Sequence, residues 1–158
     1  MKAIKAQTSP AEFDRWDDVH ALLIACFAPM EGRIDPPSSL QKMTPTSLAE
    51  YARAHDFVVL TEGESVVGFG LGEAREKSLY LSKLAVDQNW RGQGRSREII
   101  DLFEKLARNH GLKNLTLQAR VELTENHATF RALGFQKTDE TRHPGYDRVT
   151  SYTFTKSL

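Results

Sequence analysis

The stretch LYLSKLAVDQNWRGQGRSREII, residues 79–100, constrains the fold of this chain more than any other. Tyr80, Leu81, Leu84, Ala85 and Val86 form a mostly apolar run broken by Ser82 and Lys83, the pattern of a buried strand. Asp87 to Trp90 makes a tight turn. From about Gly94 the pattern turns helical, with Ile99, Leu102 or Phe103, and Leu106 on one face. Between strand and helix sits Arg91-Gly92-Gln93-Gly94-Arg95-Ser96. The first turn of a helix carries backbone N–H groups without internal partners. The macrodipole adds partial positive charge there, so acidic side chains are the usual neighbours. Here Arg91, Arg95 and Arg97 crowd the junction, and only Glu98 offsets them locally. That arrangement disfavours an empty helix start and favours one holding an anion. Gly92 and Gly94 lack a Cβ, so phosphate oxygens can approach the backbone closely. The junction reads as a diphosphate cradle; a solvated turn with scattered arginines is the plainer alternative.

The 158 residues suit one domain spanning residues 1–158. A core of that size buries about 70 % of the surface exposed by the unfolded chain. Lys plus Arg and Asp plus Glu number 21 each, so formal net charge is zero. A general nucleic-acid or anionic-membrane binder needs a basic excess, so neither partner is expected. Any anion site must be local, as the glycine junction is. Cys26 is the one cysteine, which rules out an intrachain disulfide and fits a reduced, cytoplasmic setting. Within ALLIACF it reads as a buried helix thiol rather than a nucleophile. MKAIKAQTSPAEF has no apolar core of the signal-peptide kind, and the run from Ala21 to Ala28 is too short to span a bilayer.

Taken in order, Ala3 to Gln7 form a short strand. Ser9, Pro10 and Glu12 have the pattern of a capping box that starts a first helix; Phe13, Trp16, Leu23 and Phe27 follow at helical spacing, and Pro29 ends it. His20 sits among apolar neighbours as a structural histidine. Four of the six prolines fall between Pro29 and Pro45, in a segment without periodicity. It is too long for a simple connector, and reads either as a wall over a substrate pocket or as a plain surface loop. Thr46 or Ser47 begins a short second helix. Asp56 to Leu60 and Val66 to Glu73 make a hairpin around Glu62-Gly63-Glu64. In its second strand Gly68, Gly70 and Gly72 leave one face without side chains, so a packed helix or a ligand must lie close. The central helix closes at His110-Gly111. Leu115 to Arg120 is a strand, Asn126 to Leu133 a short helix ended by Gly134, and Phe135 to Asp139 and Thr150 to Thr155 are the last strands. The pattern predicts an α/β (α+β mixed) domain: a mixed, mostly antiparallel sheet of about seven strands flanked by about four helices. Five dispersed histidines and no second cysteine give no metal-ligand spacing, so no metal is expected.

These residues resemble the GNAT superfamily of acyl-CoA-dependent N-acyltransferases. The family's cofactor signature is Gln or Arg, two residues, Gly, one residue, then Gly or Ala. Arg91-Gly92-Gln93-Gly94-Arg95-Ser96 matches it except that Ser96, still small, takes the last place. LAVDQNWRGQG and the segment Asn126-His127-Ala128-Thr129-Phe130-Arg131-Ala132-Leu133-Gly134-Phe135 are similar to two further stretches of the family. The resemblance implies acetyl-CoA in a V-shaped opening between the strand ending at Val86 and the strand starting near Leu115. Backbone groups of Leu84, Ala85 and Val86 would pair with the pantetheine amides. The amides from Gly92 through Gln93, Gly94 and Arg95 to Ser96 would hold the pyrophosphate, and Arg91 and Arg95 would add charge. Asn126 would bond the pantetheine arm, and Phe130 would pack near the thiol.

The reaction implied is direct attack by an amine on the thioester. An alkyl amine has a pKa near ~10, so a base or a desolvating pocket must supply its neutral form. A strand N–H, from Ala85 or Val86, would face the developing oxyanion. Many members carry a tyrosine on the helix after the asparagine, placed to protonate the thiolate; the matching residue here is Phe130. Some carry a glutamate early in the central strand; the matching residue here is Tyr80. The remaining candidates for acid and base are Tyr80, Glu73, Glu122 and Tyr146, each with the alternative of an exposed carboxylate or a packed tyrosine. In the loop HPGYD, His143 and Tyr146 would meet the acceptor, unless Pro144-Gly145 is simply a turn. The expected function is acetyl transfer from acetyl-CoA to a small amine acceptor, possible homodimer included through an exposed last strand or helix. Two rivals stand beside it. One is a non-catalytic acyl-CoA-binding module. The other is a dinucleotide-binding domain, which the late position of the motif and its lack of a third glycine disfavour.

Overall fold

The structure, a computed structural model, describes residues 3–158. The strands are β1 (Ile4–Thr8), β2 (Asp56–Glu62), β3 (Ser65–Ala74), β4 (Ser78–Val86), β5 (Asn114–Arg120), β6 (Gln136–Thr141) and β7 (Ser151–Ser157). The helices are α1 (Trp16–Phe27), α2 (Pro45–Ala54), α3 (Arg95–Asn109) and α4 (Thr124–Ala132). They form one seven-stranded sheet in the order β1-β2-β3-β4-β5-β7-β6. Every pairing is antiparallel except β4 with β5. Seven strands and four helices are what the pattern predicts.

The sheet separates two cores, and the strands supply both by alternation. In β2, Phe57 and Val59 join Trp16, Leu23 and Leu48 under α1 and α2. Val58 and Leu60 join Leu79, Leu81, Phe103 and Leu115 on the opposite face. That second face also receives Phe130, Leu133 and Phe135 from α4 and its C-terminal turn. Among the described residues no helix is long and apolar enough to cross a membrane.

The alternation of glycines in β3 resolves in favour of the packed helix. A Cβ on Gly70 would lie 2.7 Å from Leu84 Cδ2 and 2.8 Å from Phe103 Cε2, and one on Gly72 2.8 Å from Phe103 Cε1. The fully buried Phe103 ring of α3 therefore rests on bare backbone. This also decides which residue of α3 faces the core: Ile99, Ile100, Phe103 and Ala107 are buried, while Leu102 and Leu106 lie at the edge. Gly111, at φ +73°, closes the helix as expected, and the Leu112 N–H donates to the Ala107 carbonyl.

Three expectations are corrected. Ser9 caps no helix. Its N–H donates to the Phe57 carbonyl at 2.8 Å and its Oγ accepts from the Phe57 N–H at 3.1 Å, which extends the grip of β1 on β2. The helix starts instead at Trp16, after Arg15 and without a capping side chain. Phe13 and Trp16 pack at 5.1 Å, and Trp16 lies 5.0 Å from Phe57, so aromatic burial overrides the capping pattern. Helix α2 begins earlier than expected, with Thr44 and Ser47 forming the reciprocal capping bonds and Pro45 in the first turn. The last strand, β7, is not exposed for pairing. It lies between β5 and β6, and the edge strand β6 carries Lys137, Asp139 and Glu140, charges that discourage edge-to-edge association.

Because Phe103 is fixed by the core around it, a side chain on Gly70 has no room to form. Gly70→Val is expected to lower stability by about 1–3 kcal/mol, read as a lower urea midpoint; an unchanged midpoint contradicts this packing.

Candidate functional site

Strands β4 and β5 pair only from Ser78↔Asn114 to Leu81↔Leu117. Beyond that pair β4 runs on to Val86 and β5 to Arg120, where β7 still holds it in register. The two strands therefore part, and a V opens between them. At the vertex β4 is bulged. Leu71 pairs with Ser82 and Phe69 with Ala85, so two residues, Lys83 and Leu84, stand opposite Gly70. Lys83 takes φ +55°, a left-handed conformation unusual for a side chain of its size.

The arm of the V on the β4 side leads into the glycine junction. Asp87 accepts from the Asn89 N–H at 2.9 Å and caps the short turn to Trp90. Gly92 and Gly94 have φ of +74° and +79°, with nothing within 4 Å of an added Cβ. The backbone conformation, rather than crowding, selects glycine here, and open space is left above the backbone. Gly94 precedes α3, whose first internal bond is Glu98 N–H to the Gly94 carbonyl. The N–H groups of Arg95, Ser96 and Arg97 consequently point out of the helix end. Arg95 lies 5.7 Å over the Trp90 ring and pairs with Glu98 at 3.1 Å, yet its buried Nε has no partner. A buried cationic donor left unmet is costly and asks for an acceptor.

A cleft of about 600 Å³ runs from the V along this junction. Leu84, Ala85 and Val86 form one wall. Arg91, Gly92, Gly94, Arg95 and Ser96 form its end, and Asn126 and Phe130 of α4 form the opposite wall. All the residues expected to hold a cofactor thus border one cavity except Gln93, whose amide turns back to the Asn89 carbonyl at 3.4 Å. The Val86 carbonyl already accepts from Arg91 Nε at 3.2 Å and from the Cys26 thiol at 3.4 Å. Two features escape the sequence pattern. Cys26 is half-buried, packed at the edge of the α1–α2 core and lining the cleft. Arg33 crosses the mouth of the cleft to Glu125 in a two-pronged pair at 2.6 and 3.1 Å.

The four acid–base candidates do not border the cleft; they fall in two groups. Glu73 and Tyr80 are neighbours in the β3–β4 register. Glu73 accepts from the Tyr51 hydroxyl at 2.6 Å, with Arg75 at 3.7 Å, and the tyrosine bond holds its carboxyl below the usual range. Burial, then the bond to Glu73, pushes Tyr51 up to about 12. Burial also raises Tyr80, whose ring lies 3.8 Å from the Arg75 guanidinium carbon. The second group gathers where β5 ends. Tyr146 donates to Asp35 at 2.6 Å, a bond that raises its hydroxyl pKa. Glu122 accepts from the Asp35 N–H at 3.3 Å and faces Arg148 at 3.9 Å, while its buried Oε1 has no partner. His143 is held to Thr150, and burial followed by the charge of Arg120 lowers its pKa.

The segment from Pro29 to Pro45 packs against the second group. Its Asp35 meets Tyr146, Arg148 and Glu122, and its Pro36 and Pro37 carbonyls accept from Arg120. It is a pinned wall over the open end of the V, not a plain surface loop. The signal for it in the sequence is the proline cluster; the partners, 83 to 113 residues away, have none.

A family model described as "Acetyltransferase (GNAT) family" matches residues 16–135. The chain belongs to the GNAT acetyltransferase family. Its members are acyltransferases, and the GNAT match covers both walls of the V and the glycine junction. An aminoglycoside N(6')-acetyltransferase type 1 of Stenotrophomonas maltophilia is 28 % identical over 144 residues, covering 84 % of this chain and 86 % of that one. An acetyltransferase structure from Streptococcus agalactiae superposes with a TM-score of 0.74 at 19 % identity, covering 97 % and 98 % of the two chains. A GNAT family acetyltransferase from Elizabethkingia anophelis with acetyl-CoA bound superposes with a TM-score of 0.67 at 15 % identity, covering 98 % of each. Both structures share the fold of this GNAT chain.

Burial raises the Cys26 pKa, and Arg91 offsets only part of that rise. An unperturbed thiol has a pKa of about 8.5. Iodoacetamide labelling of this single cysteine should therefore still be climbing at about pH 9; a rate that levels off below that pH contradicts the burial described here.

Proposed function

We propose that this GNAT protein is an N-acetyltransferase, moving the acetyl group of acetyl-CoA to a primary amine of a small molecule by direct attack. The observation that carries this reading is the end of the V. Two uncrowded glycines, the helix start with its three free N–H groups, and Arg95 with its unmet Nε all border one cleft. These residues fit a pyrophosphate: backbone donors at a helix end, room for oxygen atoms, and a buried cation beside them. Leu84, Ala85 and Val86 offer strand edge to an extended pantetheine arm. The Val86 carbonyl is already taken, so Leu84 and Ala85 would carry most of that pairing.

In the transfer, the amine lone pair attacks the thioester carbonyl carbon, the C–S bond breaks, and CoA leaves as thiolate. The ammonium must first lose one proton to become a nucleophile, and the tetrahedral adduct loses a second, which the departing thiolate or solvent takes up. Glu73 is a poor acceptor because Tyr51 and Arg75 already hold its charged form. Glu122 lies outside the cleft at the end of β5 and would act through an intervening water. Phe130 has no proton to give the thiolate. With a thiol pKa of about 8.5 the thiolate is a tolerable leaving group without an acid. The segment around Asp35 closes the acceptor side and suits a small molecule. The aminoglycoside acetyltransferase relative makes an antibiotic amine one candidate acceptor. A reducing, cytoplasmic setting suits the lone thiol in the cleft.

Calorimetric titration should detect acetyl-CoA at micromolar affinity. Gly94→Val should weaken it at least tenfold, since φ +79° is strained for a branched residue. Amine-dependent release of the CoA thiol should accompany binding. No binding of acetyl-CoA would overturn the reading.

A further inference from the structure

Two cations on the acceptor side of the V lack carboxylate partners. Lys83, in the bulge of β4, sends its ammonium across to the hydroxyl of Ser39 at 2.9 Å. Arg120, at the end of β5, donates to the carbonyls of Pro36 and Pro37. The two side chains thus rise from the two diverging strands, beyond the last β4–β5 pair, and reach the same segment within three residues. Among the described residues neither forms an ion pair. Asp35 and Glu122 lie close enough to Arg120 to favour its charge, but their ion pairs are made with Arg148. Lys83, Arg120 and Arg148 against Asp35 and Glu122 leave one positive charge over.

This arrangement is expensive for a structural role. Like charges on facing strands repel, and Lys83 is held at φ +55°, where a lysine is strained. Burial, then the charge of Arg120, lowers the Lys83 pKa, which marks an ammonium whose charge is undercompensated. A neutral hydroxyl and two carbonyls leave donors to spare: two of the three on Lys83 and three of the five on Arg120.

We infer that the amine acceptor bears a carboxylate a few bonds from its nitrogen, as an α-amino acid does, and that Lys83 and Arg120 hold that carboxylate. The inference rests on the acetyl-transfer reading above, which it narrows to one substrate class. Lys83 adjoins Leu84 and Ala85, the strand edge offered to the acyl-bearing arm, so a carboxylate at Lys83 keeps a neighbouring amine beside the thioester. The single surplus charge matches a monoanion. The same two cations lower the pKa of the acceptor's ammonium, which favours the neutral nucleophile. A polycationic amine would place further ammonium groups against Lys83 and Arg120 and be repelled.

The test is a matched set of amines in the thiol-release assay with acetyl-CoA: free α-amino acids, their carboxamides, the decarboxylated amines, and spermidine. At least one free amino acid should show kcat/KM at least tenfold above its carboxamide and its decarboxylated amine. Lys83→Gln and Arg120→Gln should each raise KM for that amino acid at least tenfold and erase the preference, with acetyl-CoA affinity by calorimetry unchanged within twofold. Turnover only of carboxamides, decarboxylated amines or spermidine overturns the inference and leaves the acetyl-transfer reading intact. Acetyl-CoA binding with no free amino acid turned over also overturns it, as does a preference that survives both substitutions. Absence of acetyl-CoA binding overturns the acetyl-transfer reading itself.

Discussion

The parting of β4 from β5 after Leu81↔Leu117 is the constraint on which the site depends. A strand whose backbone groups lose their neighbour inside a domain must find other partners. Here β3 holds one edge of β4 through Val86, and β7 holds the far edge of β5 through Arg120, so neither strand can close the gap. The cost of the opening is carried by two complete ladders, and the opening itself becomes a slot of strand edge. The bulge at Lys83 fixes where the slot begins, and Gly94 fixes where the helix end meets it.

Packing on the α3 face of the sheet supports that geometry. Phe103 lies on Gly70 and Gly72, which draws α3 close to β3 and β4. Because α3 starts at the glycine junction, the same close packing aims its free N–H groups into the cleft. A bulkier β3 would push the helix outward and move its N-terminus away from the strand edge. Core packing and site geometry are therefore coupled on one face of the sheet.

Much of this is legible in the residues. The alternating Gly68, Gly70 and Gly72 announce a close approach, strand periods place the sheet, and Gly92, Gly94 and their arginines lie together at the end of one cleft. What escapes is set by contacts distant in sequence. Ser9-Pro10 has a capping pattern, but Phe57 takes its hydrogen bonds and Phe13 and Trp16 bury their rings on the sheet. Cys26 sits in an apolar run, yet α1 turns it toward Val86 and the cleft. The acceptor side is hardest to read, because Asp35, Arg120, Glu122, Tyr146 and Arg148 come together from three separate parts of the chain. Lys83 looks like a defect in a strand until the bulge gives it a direction.

In the proposed function the V and the helix end hold a single extended cofactor together. Hydrogen–deuterium exchange with and without saturating acetyl-CoA tests it most directly. The account predicts protection at two segments together, residues 82–87 and 91–98, with β1 and β6 unchanged. Bound acetyl-CoA that protects only one of these segments, or protects neither, would contradict it.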